Sequence, residues 1–262
     1  MEAVTIRYSE IFLKSEPVKR RFISIMTENI RLALEAEGIA HRFETPRGRV
    51  LIYGDEPERI AAVAARTFGV ASASVCTVTT PDIEGLSAAA VERAERRLRP
   101  EMSFAVRARR SGVEGFNSQT LGAEVGSAVL DRIPEARVDL TAPDYEIFVE
   151  AREFGGLVYD ERIPGPGGLP YGTQGEVMAL LSAGIDSPVA SWLMMRRGCR
   201  MVHVNMQGGR FAGADVEWNV RANHARLSAW VPGHPLDLLV VDMEPFFEVI
   251  TALKEPRYRC IL

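Results

Sequence analysis

Residues 175–206, GEVMALLSAGIDSPVASWLMMRRGCRMVHVNM, decide the fold of this chain. The apolar run at 177–181 is typical of a strand buried on both faces. A loop of small residues follows at once, with Ser187 predicted as the N-cap of a helix and Pro188 as its first residue. Residues 201–204 predict the next strand. The order strand, loop, helix, strand indicates parallel pairing through a right-handed crossover.

The loop at 182–187, SAGIDS, lies where sheets of this kind bind ligands, at the carboxyl end of a strand. Because it leads into a helix, its backbone N–H groups and the helix dipole together favour an anion. It lacks the G-K-[ST] of a Walker loop, and hence the lysine that holds a γ-phosphate. The residues therefore predict a phosphate site of another kind. The alternative is an ordinary turn whose serines only cap the helix.

The composition is that of a globular protein. With 262 residues, 47% hydrophobic and 25% charged, the chain is long enough for two or three domains. A net charge of −4 excludes broad coating of nucleic acid, so RNA contacts would need local basic patches. The absence of a long apolar run and of a signal-peptide pattern predicts a cytoplasmic protein without membrane contact. The scattered Cys76, Cys199 and Cys260 exclude a disulfide framework.

The hydrophobic pattern upstream of the loop predicts two α+β units. Residues 1–79 follow the order βαββαβ of a ferredoxin-like unit, with a strand at 50–53 and a helix at 57–68. Residues 80–165 form the second unit, with helices at 83–98 and 118–131 and strands at 103–108, 137–140 and 145–151. A glycine-rich linker at 166–175 leads to the parallel α/β unit at 176–262. The predicted fold class is a multidomain chain that combines α/β and α+β units.

An arginine-rich stretch lies in the second unit. Between Gly85 and Gly115 there are seven arginines against four glutamates, in a chain that is acidic as a whole. Mixed arginine and glutamate on a helix is typical of a solvated face. Arg107, Arg109 and Arg110, at a strand end, are better candidates for contacts to an RNA phosphate backbone.

Three stretches resemble known families. The SAGIDS loop resembles the S-G-G-x-D-S pattern of the PP-loop ATP pyrophosphatases, with Ala183 replacing the first glycine; if that position needs φ > 0, alanine costs roughly 1 kcal/mol. FAVRARRSGVEGFNSQTLGAEVGSAVLDR, followed by VDLTAPDYEIFVEAREFGGLVY, resembles a THUMP domain, an RNA-binding module. With RYSEIFLK, RRF and GGLPYGTQGEVMALLSAGIDSPVASWLMMRRG, the whole chain is similar to the tRNA 4-thiouridine synthetase, or tRNA sulfurtransferase, family.

This resemblance implies a ferredoxin-like unit, a THUMP domain and a partial, doubly wound parallel PP-loop domain. It implies an enzyme that uses ATP to adenylate the C4 oxygen of a uridine, the eighth nucleotide of tRNA, and then replaces that oxygen with sulfur. The implied partners are tRNA and a sulfur donor, either a persulfide carrier or sulfide. Members of the family often form homodimers. An RNA-binding module with an inactive nucleotide site is the alternative.

The resemblance also implies roles for individual residues. The nucleotide would be bound by the loop and the end of the next strand: Leu181, Ser182, Ala183, Gly184, Asp186, Ser187, Asn205 and Met206. Asp186 would act in catalysis by orienting the loop or binding Mg²⁺, or else would only cap the helix. Cys260 lies in RYRCIL, where the family carries a cysteine that in some members begins the C-x-x-C of an iron–sulfur cluster. A catalytic role for Cys260 and that of an unremarkable exposed cysteine both stay open.

The residues after Gly175 predict few strands for a doubly wound sheet. Such a sheet usually needs more strands to close its core, and an open apolar edge invites aggregation. We therefore expect the chain to be part of a longer protein, in which a sulfur-bearing cysteine could lie elsewhere.

Overall fold

The structure, a computed structural model, describes residues 1–8, 10–213 and 215–252. The chain divides into two compact units that alternate along the sequence. The first comprises Met1–Tyr8, Glu37–Ala65 and Ala71–Gly165, and the second comprises Ser9–Ala36, Arg66–Val70 and Pro166–Leu262. Among the described residues, no helix has both the length and the apolar character needed to cross a membrane.

The elements follow the predicted order. The strands are β1 (Glu2–Arg7), β2 (Arg42–Glu44), β3 (Val50–Tyr53), β4 (Ser72–Thr79), β5 (Ser103–Ser111), β6 (Arg137–Val138), β7 (Tyr145–Arg152), β8 (Gly155–Tyr159), β9 (Ile163–Pro164), β10 (Glu176–Leu180), β11 (Arg200–Gln207) and β12 (Asp237–Asp242). The helices are α1 (Glu16–Ala36), α2 (Pro57–Ala64), α3 (Ile83–Arg97), α4 (Ser118–Arg132), α5 (Asp186–Arg196), α6 (Val216–Ser228) and α7 (Glu244–Ala252).

The first unit is built on one sheet, which in the described part of the chain has nine strands in the order β2-β3-β1-β4-β8-β7-β5-β6, with β9 beside β4. Strand β4 joins the two predicted α+β units, because it pairs antiparallel with β1 on one side and with β8 on the other. Helix α2 packs on β1 and β4. Helices α3 and α4 bury Leu86, Leu121 and Val125 against Ile147 and Val149 of β7. The helices therefore cover one face of the sheet.

The opposite face of this sheet is concave. Arg49, just before β3, donates from Nη2 to both carboxylate oxygens of Glu150 on β7, at 2.9 and 2.8 Å. Strands β3 and β7 stand four places apart in the sheet, which in a flat sheet would separate them by about 19 Å. The sheet must therefore twist and curl strongly over this face. Its floor is apolar and includes Cys76, Phe148 and Tyr159.

The second unit carries a parallel sheet, which among the described residues has the strand order β10-β11-β12. The predicted parallel pairing is confirmed, with Val177 opposite Met201. Helices α5 and α6 pack on one face, where Met195 and Leu227 join the core around Met201. Rings of Phe68 and Trp192 lie against Trp230 in the same core, with centroids 5.4 Å from it.

The prediction that the strand at 177–181 is buried on both faces is wrong. Met178 and Leu180 of β10 are 66% and 65% exposed, and Met206 and Leu239 on the same face are about half exposed. The reason is that α5 and α6 cover only the face that carries alternate residues such as Val177.

Candidate functional site

The SAGIDS loop connects the end of β10 to the start of α5. The helix begins at Asp186, so the prediction of Ser187 as its N-cap is wrong. The Ser187 hydroxyl instead reaches back across the loop and accepts from the backbone N–H of Ser182 at 2.9 Å. The Ser182 and Ser187 hydroxyls are also hydrogen bonded at 2.9 Å. The two serines therefore close the loop on itself.

Ala183 fits this loop without backbone strain. Among the described residues, Glu101 is the one non-glycine residue with positive φ, so Ala183 avoids the left-handed region. Gly184 avoids that region too, and a Cβ built on it would lie 3.6 Å from the Ser182 hydroxyl, an ordinary contact. Alanine in place of the first glycine of S-G-G-x-D-S is therefore compatible with the loop.

Some backbone N–H groups of the loop are not used in hydrogen bonds among the described residues. The N–H groups of Ala183 and Ile185 find no acceptor among the described residues. The N–H groups of the first helical turn lack intrahelical acceptors as well. The Ile185 side chain is 82% exposed and does not fill the turn. Free donors at the positive end of a helix dipole suit a phosphate group.

Asp186 occupies the first position of α5 and is exposed. Its carboxylate makes no hydrogen bond or ion pair with the described residues, and none of their side chains caps the helix. The alternative of a capping role for Asp186 thus finds no supporting contact. A carboxylate without a partner suits a hard cation such as Mg²⁺. The described residues contain no group of three or more metal-binding side chains, so a cation there would need further oxygen ligands.

The structure brings Asn205 to the loop but not Met206. Asn205, at the end of β11, is buried, and its Nδ2 donates to the Leu181 carbonyl at 2.9 Å. This bond fixes the point at which the loop leaves the sheet. Met206 lies on the opposite face of the sheet and is 51% exposed.

Asn223 is a site residue that no sequence pattern indicated. Its Nδ2, on α6, donates to the carbonyls of Ser182 and Gly184 at 3.2 and 3.3 Å. Because it holds carbonyl groups, Asn223 positions the loop without using any of the N–H groups that could bind an anion. The sequence gives no local signal for such a contact, since the partners are about 40 residues apart.

Two histidines pack beneath the sheet that carries the loop. His203 of β11 is fully buried and meets the ring of His224 edge to face, with centroids 5.5 Å apart. Neither ring nitrogen of His203 has a hydrogen-bond partner among the described residues. Burial lowers the pKa of His203 to about 4, so it stays neutral at physiological pH. A neutral, buried ring is consistent with a structural role.

The structure divides the predicted arginine trio. By strand register, Arg107 and Arg109 share the concave face with Glu150, whereas Arg110 lies on the face that the helices cover. Arg107 donates to Glu146 at 2.6 Å, and Arg110 to the carbonyl of Val113. Cys260 lies outside the described residues.

Family models match nearly the whole chain in the predicted order. They are the ThiI ferredoxin-like domain at residues 3–74, the THUMP domain at 81–159 and the thiamine biosynthesis protein ThiI at 172–262. The prediction of ferredoxin-like, THUMP and PP-loop units is thereby confirmed.

Curated relatives match over the full chain. A probable tRNA sulfurtransferase of Methanosarcina acetivorans is 36% identical over 99% of this chain and 64% of its own length. One from Methanothermobacter thermautotrophicus is 35% identical over 100% of this chain and 67% of its own length. The chain thus spans about two thirds of the length of these relatives.

Two solved structures share the fold. A crystal structure from Pyrococcus horikoshii has 29% sequence identity and a TM-score of 0.80, covering 97% of this chain and 82% of that chain. A 4-thiouridine synthetase in complex with RNA, with bound ATP, has 29% identity and a TM-score of 0.77, covering 94% of this chain and 63% of that chain. From the order of its domains and from these relatives, which match over the whole of this chain, the chain belongs to the tRNA sulfurtransferase family.

Proposed function

We propose that this chain acts as an ATP-dependent tRNA uridine 4-sulfurtransferase, which adenylates the eighth nucleotide and replaces its C4 oxygen with sulfur to give 4-thiouridine. The observation that carries the proposal is the SAGIDS loop, closed by Ser182 and Ser187 and with backbone donors free, at the start of α5. A solved relative is a 4-thiouridine synthetase with bound RNA and ATP, which supports both ligands for this chain.

The loop residues are assigned to the phosphates of ATP. ATP, when bound, supplies the adenylyl group that makes the C4 oxygen a good leaving group. Ser182, Gly184 and Ser187 hold the phosphates, and the N–H groups of Ala183 and Ile185 stabilise charge that grows on the departing pyrophosphate. Such preorganised donors need no rearrangement during the reaction, which makes them effective. Leu181 and Asn205 belong to the remainder of the proposed nucleotide site, and a contact from Met206 would have to come from its backbone, because its side chain lies on the opposite face of the sheet.

The cation, the RNA and the sulfur chemistry are assigned to other residues. Asp186 orients the loop or binds Mg²⁺ beside the phosphates. Residues 80–165 bind tRNA, with Arg107 and Arg109 on one face of the sheet as phosphate contacts, and Arg110 as a contact from the other face. Sulfur comes from a persulfide carrier or sulfide. Cys260 is the proposed catalytic cysteine, with a role as cluster ligand as its alternative.

Mass analysis of tRNA nucleosides tests the proposal directly. Cells that lack the full gene should lose 4-thiouridine, and a plasmid copy should restore it. Equal 4-thiouridine with and without the gene would refute the assignment.

The Asp186→Asn variant tests the nucleotide site. We expect it to weaken binding of Mg-ATP about tenfold, because one charged ligand of the cation is lost. Calorimetric titration measures this, with Asp237→Asn at the exposed start of β12 as the control. No heat with the parent chain would favour the alternative, an RNA-binding module whose nucleotide site is inactive.

The Asn223→Ala variant tests how the loop is held. We expect the Kd for ATP to rise about thirtyfold, because the two lost hydrogen bonds are each worth about 1 kcal/mol and the loop becomes mobile without them. Asn219→Ala, one turn earlier on α6, is the matched control, since its side chain contacts Asp215 instead of the loop. Equal affinities for the two variants would show that Asn223 does not position the site.

A further inference from the structure

Four arginines gather at the concave face of the sheet in the first unit. Arg7 ends β1, Arg49 precedes β3, Arg152 ends β7 and Arg162 follows β8. We refer to these four residues as the arginine cluster. They come from distant points of the sequence, and the curl of the sheet brings Arg49 to the other three.

One buried carboxylate serves three members of the cluster. Glu150 is 2% exposed and accepts from Arg49 at 2.8 Å and from Arg152 at 2.6 Å, while Arg7 Nε lies 4.0 Å away. Burial alone would raise the pKa of Glu150, but the charges and hydrogen bonds of Arg49 and Arg152 outweigh it and lower the pKa to about 2. The carboxylate is therefore ionised at physiological pH. It supplies one negative charge against three positive ones.

Aromatic rings support the guanidinium groups of Arg7 and Arg162. Arg7 lies over the Tyr159 ring at 4.2 Å, and Arg162 lies over the Phe148 ring at 3.8 Å. Arg162 also donates from Nη2 to the Tyr159 hydroxyl at 3.3 Å. Such contacts fix the planes of the guanidinium groups without cancelling their charge. Arg162 is exposed, so a solute can reach the cluster from its side.

The cluster carries more positive charge than a structural ion pair needs. Partly buried cations are costly unless each has a counter-charge, and here Glu150 is shared. Burial accordingly lowers the pKa of Arg7. Among the described residues, the hydrogen bonds of Arg152 use only its Nε and those of Arg162 only its Nη2. Each of the two therefore keeps N–H donors for a second anion.

We propose that the arginine cluster binds a phosphate group of an RNA backbone, with Arg152 and Arg162 as the contacting residues. The inference rests on the proposed function, in which the macromolecular partner is a tRNA. The guanidinium fork matches two phosphate oxygens at once, which a lysine cannot do. Arg107 and Arg109 lie on the same face, so the cations extend from β1 across to β5. The cluster adds a phosphate contact beyond the arginines of the predicted trio.

Salt-dependent RNA binding by Arg152→Gln and Arg162→Gln tests the site. Fluorescence anisotropy with a labelled, unmodified tRNA transcript is measured over a range of KCl concentrations. We expect each variant to bind about tenfold more weakly and to lower the slope of log K against log[KCl] by about one, because one phosphate contact is lost. The loss should be the same for a second transcript of different sequence, since phosphate contacts do not read bases.

Arg59→Gln is the matched control. It removes the same charge from α2, where Arg59 is paired with Glu56. Arg162 is exposed, so Arg162→Gln is expected to cost less stability than Arg152→Gln, and it decides the result if Arg152→Gln lowers the thermal stability.

The other outcomes separate the inference from the proposed function. Variants that bind RNA as tightly as Arg59→Gln would overturn the site and leave the proposed function standing. No binding of RNA by the parent chain would overturn both. Calorimetric titration with inorganic phosphate distinguishes a free ion: phosphate binding lost in the variants, with RNA affinity unchanged, would overturn the RNA assignment.

Discussion

Replacing Gly184 by alanine is expected to raise the Kd for ATP about a hundredfold while the chain stays folded. The added methyl group meets only the Ser182 hydroxyl, at 3.6 Å, and the backbone is not left-handed there, so the loop without ligand accepts it. A phosphate that contacts the loop amides must approach the backbone closely, and the methyl group would occupy that approach. Loss of two charge-assisted hydrogen bonds, at about 1.5 kcal/mol each, gives this magnitude.

Calorimetric titration with Mg-ATP measures the effect, and circular dichroism confirms the fold. Gly175→Ala is the matched control, because a Cβ there meets no atom within 4 Å and Gly175 precedes β10 outside the loop. If Gly184→Ala bound ATP as tightly as Gly175→Ala, the loop amides would not be phosphate ligands.

Replacing Glu150 by glutamine is expected to destabilise the chain by about 3 kcal/mol at pH 7. The pKa of Glu150 falls from 4.5 to about 2 on folding, and each unit corresponds to about 1.4 kcal/mol. Removing one partner of a buried ion cluster also leaves the remaining charges without compensation. Urea unfolding, monitored by circular dichroism, gives the difference in free energy of unfolding between variant and parent.

The same experiment has a pH signature. Because the folded-state pKa of Glu150 is depressed, its stabilisation is complete above pH 4.5 and disappears as the pH falls towards 2. The difference in free energy of unfolding between Glu150→Gln and the parent should therefore decrease over that pH range. Glu146→Gln is the control: that side chain is 38% exposed and paired with Arg107, so its loss should cost at most about 1 kcal/mol. A stability difference that did not change with pH would argue against Glu150 as the ionised partner of Arg49 and Arg152.

The nucleotide loop could be predicted from the sequence because its signals are local. An apolar run, a loop of small residues and a helix follow one another within a few residues, and their order sets the parallel pairing that the structure shows. The strand at 50–53 also agrees with β3, since turn residues bound it. Helix α2, expected at 57–68, ends at Ala64, in keeping with the weakness of sequence signals for helix ends.

The features of the fold and of the candidate site that the sequence does not predict depend mainly on contacts between residues far apart in the chain. Asn223 and the SAGIDS loop meet through the packing of α6, and Arg49 reaches Glu150 across 101 residues through the curl of the sheet. The exposure of Met178 and Leu180 cannot be predicted from the sequence, because a short apolar run fits a strand buried on one face or on both. Serine is a good N-cap in general, which is why the sequence predicts that role for Ser187, but its hydroxyl instead accepts from the backbone N–H of Ser182.

Strand β4 determines how the first unit responds to proteolysis and to expression of its two halves separately. It is hydrogen bonded to β1 on one edge and to β8 on the other, so backbone hydrogen bonds join the ferredoxin-like and THUMP halves. Proteolysis near residue 80 would break the covalent link but leave the hydrogen bonds between β4 and β8 intact. Expression of either half alone would instead expose an unpaired strand edge, which favours aggregation. The two halves therefore share one continuous sheet, and an RNA that contacts the strands of both would contact that single sheet.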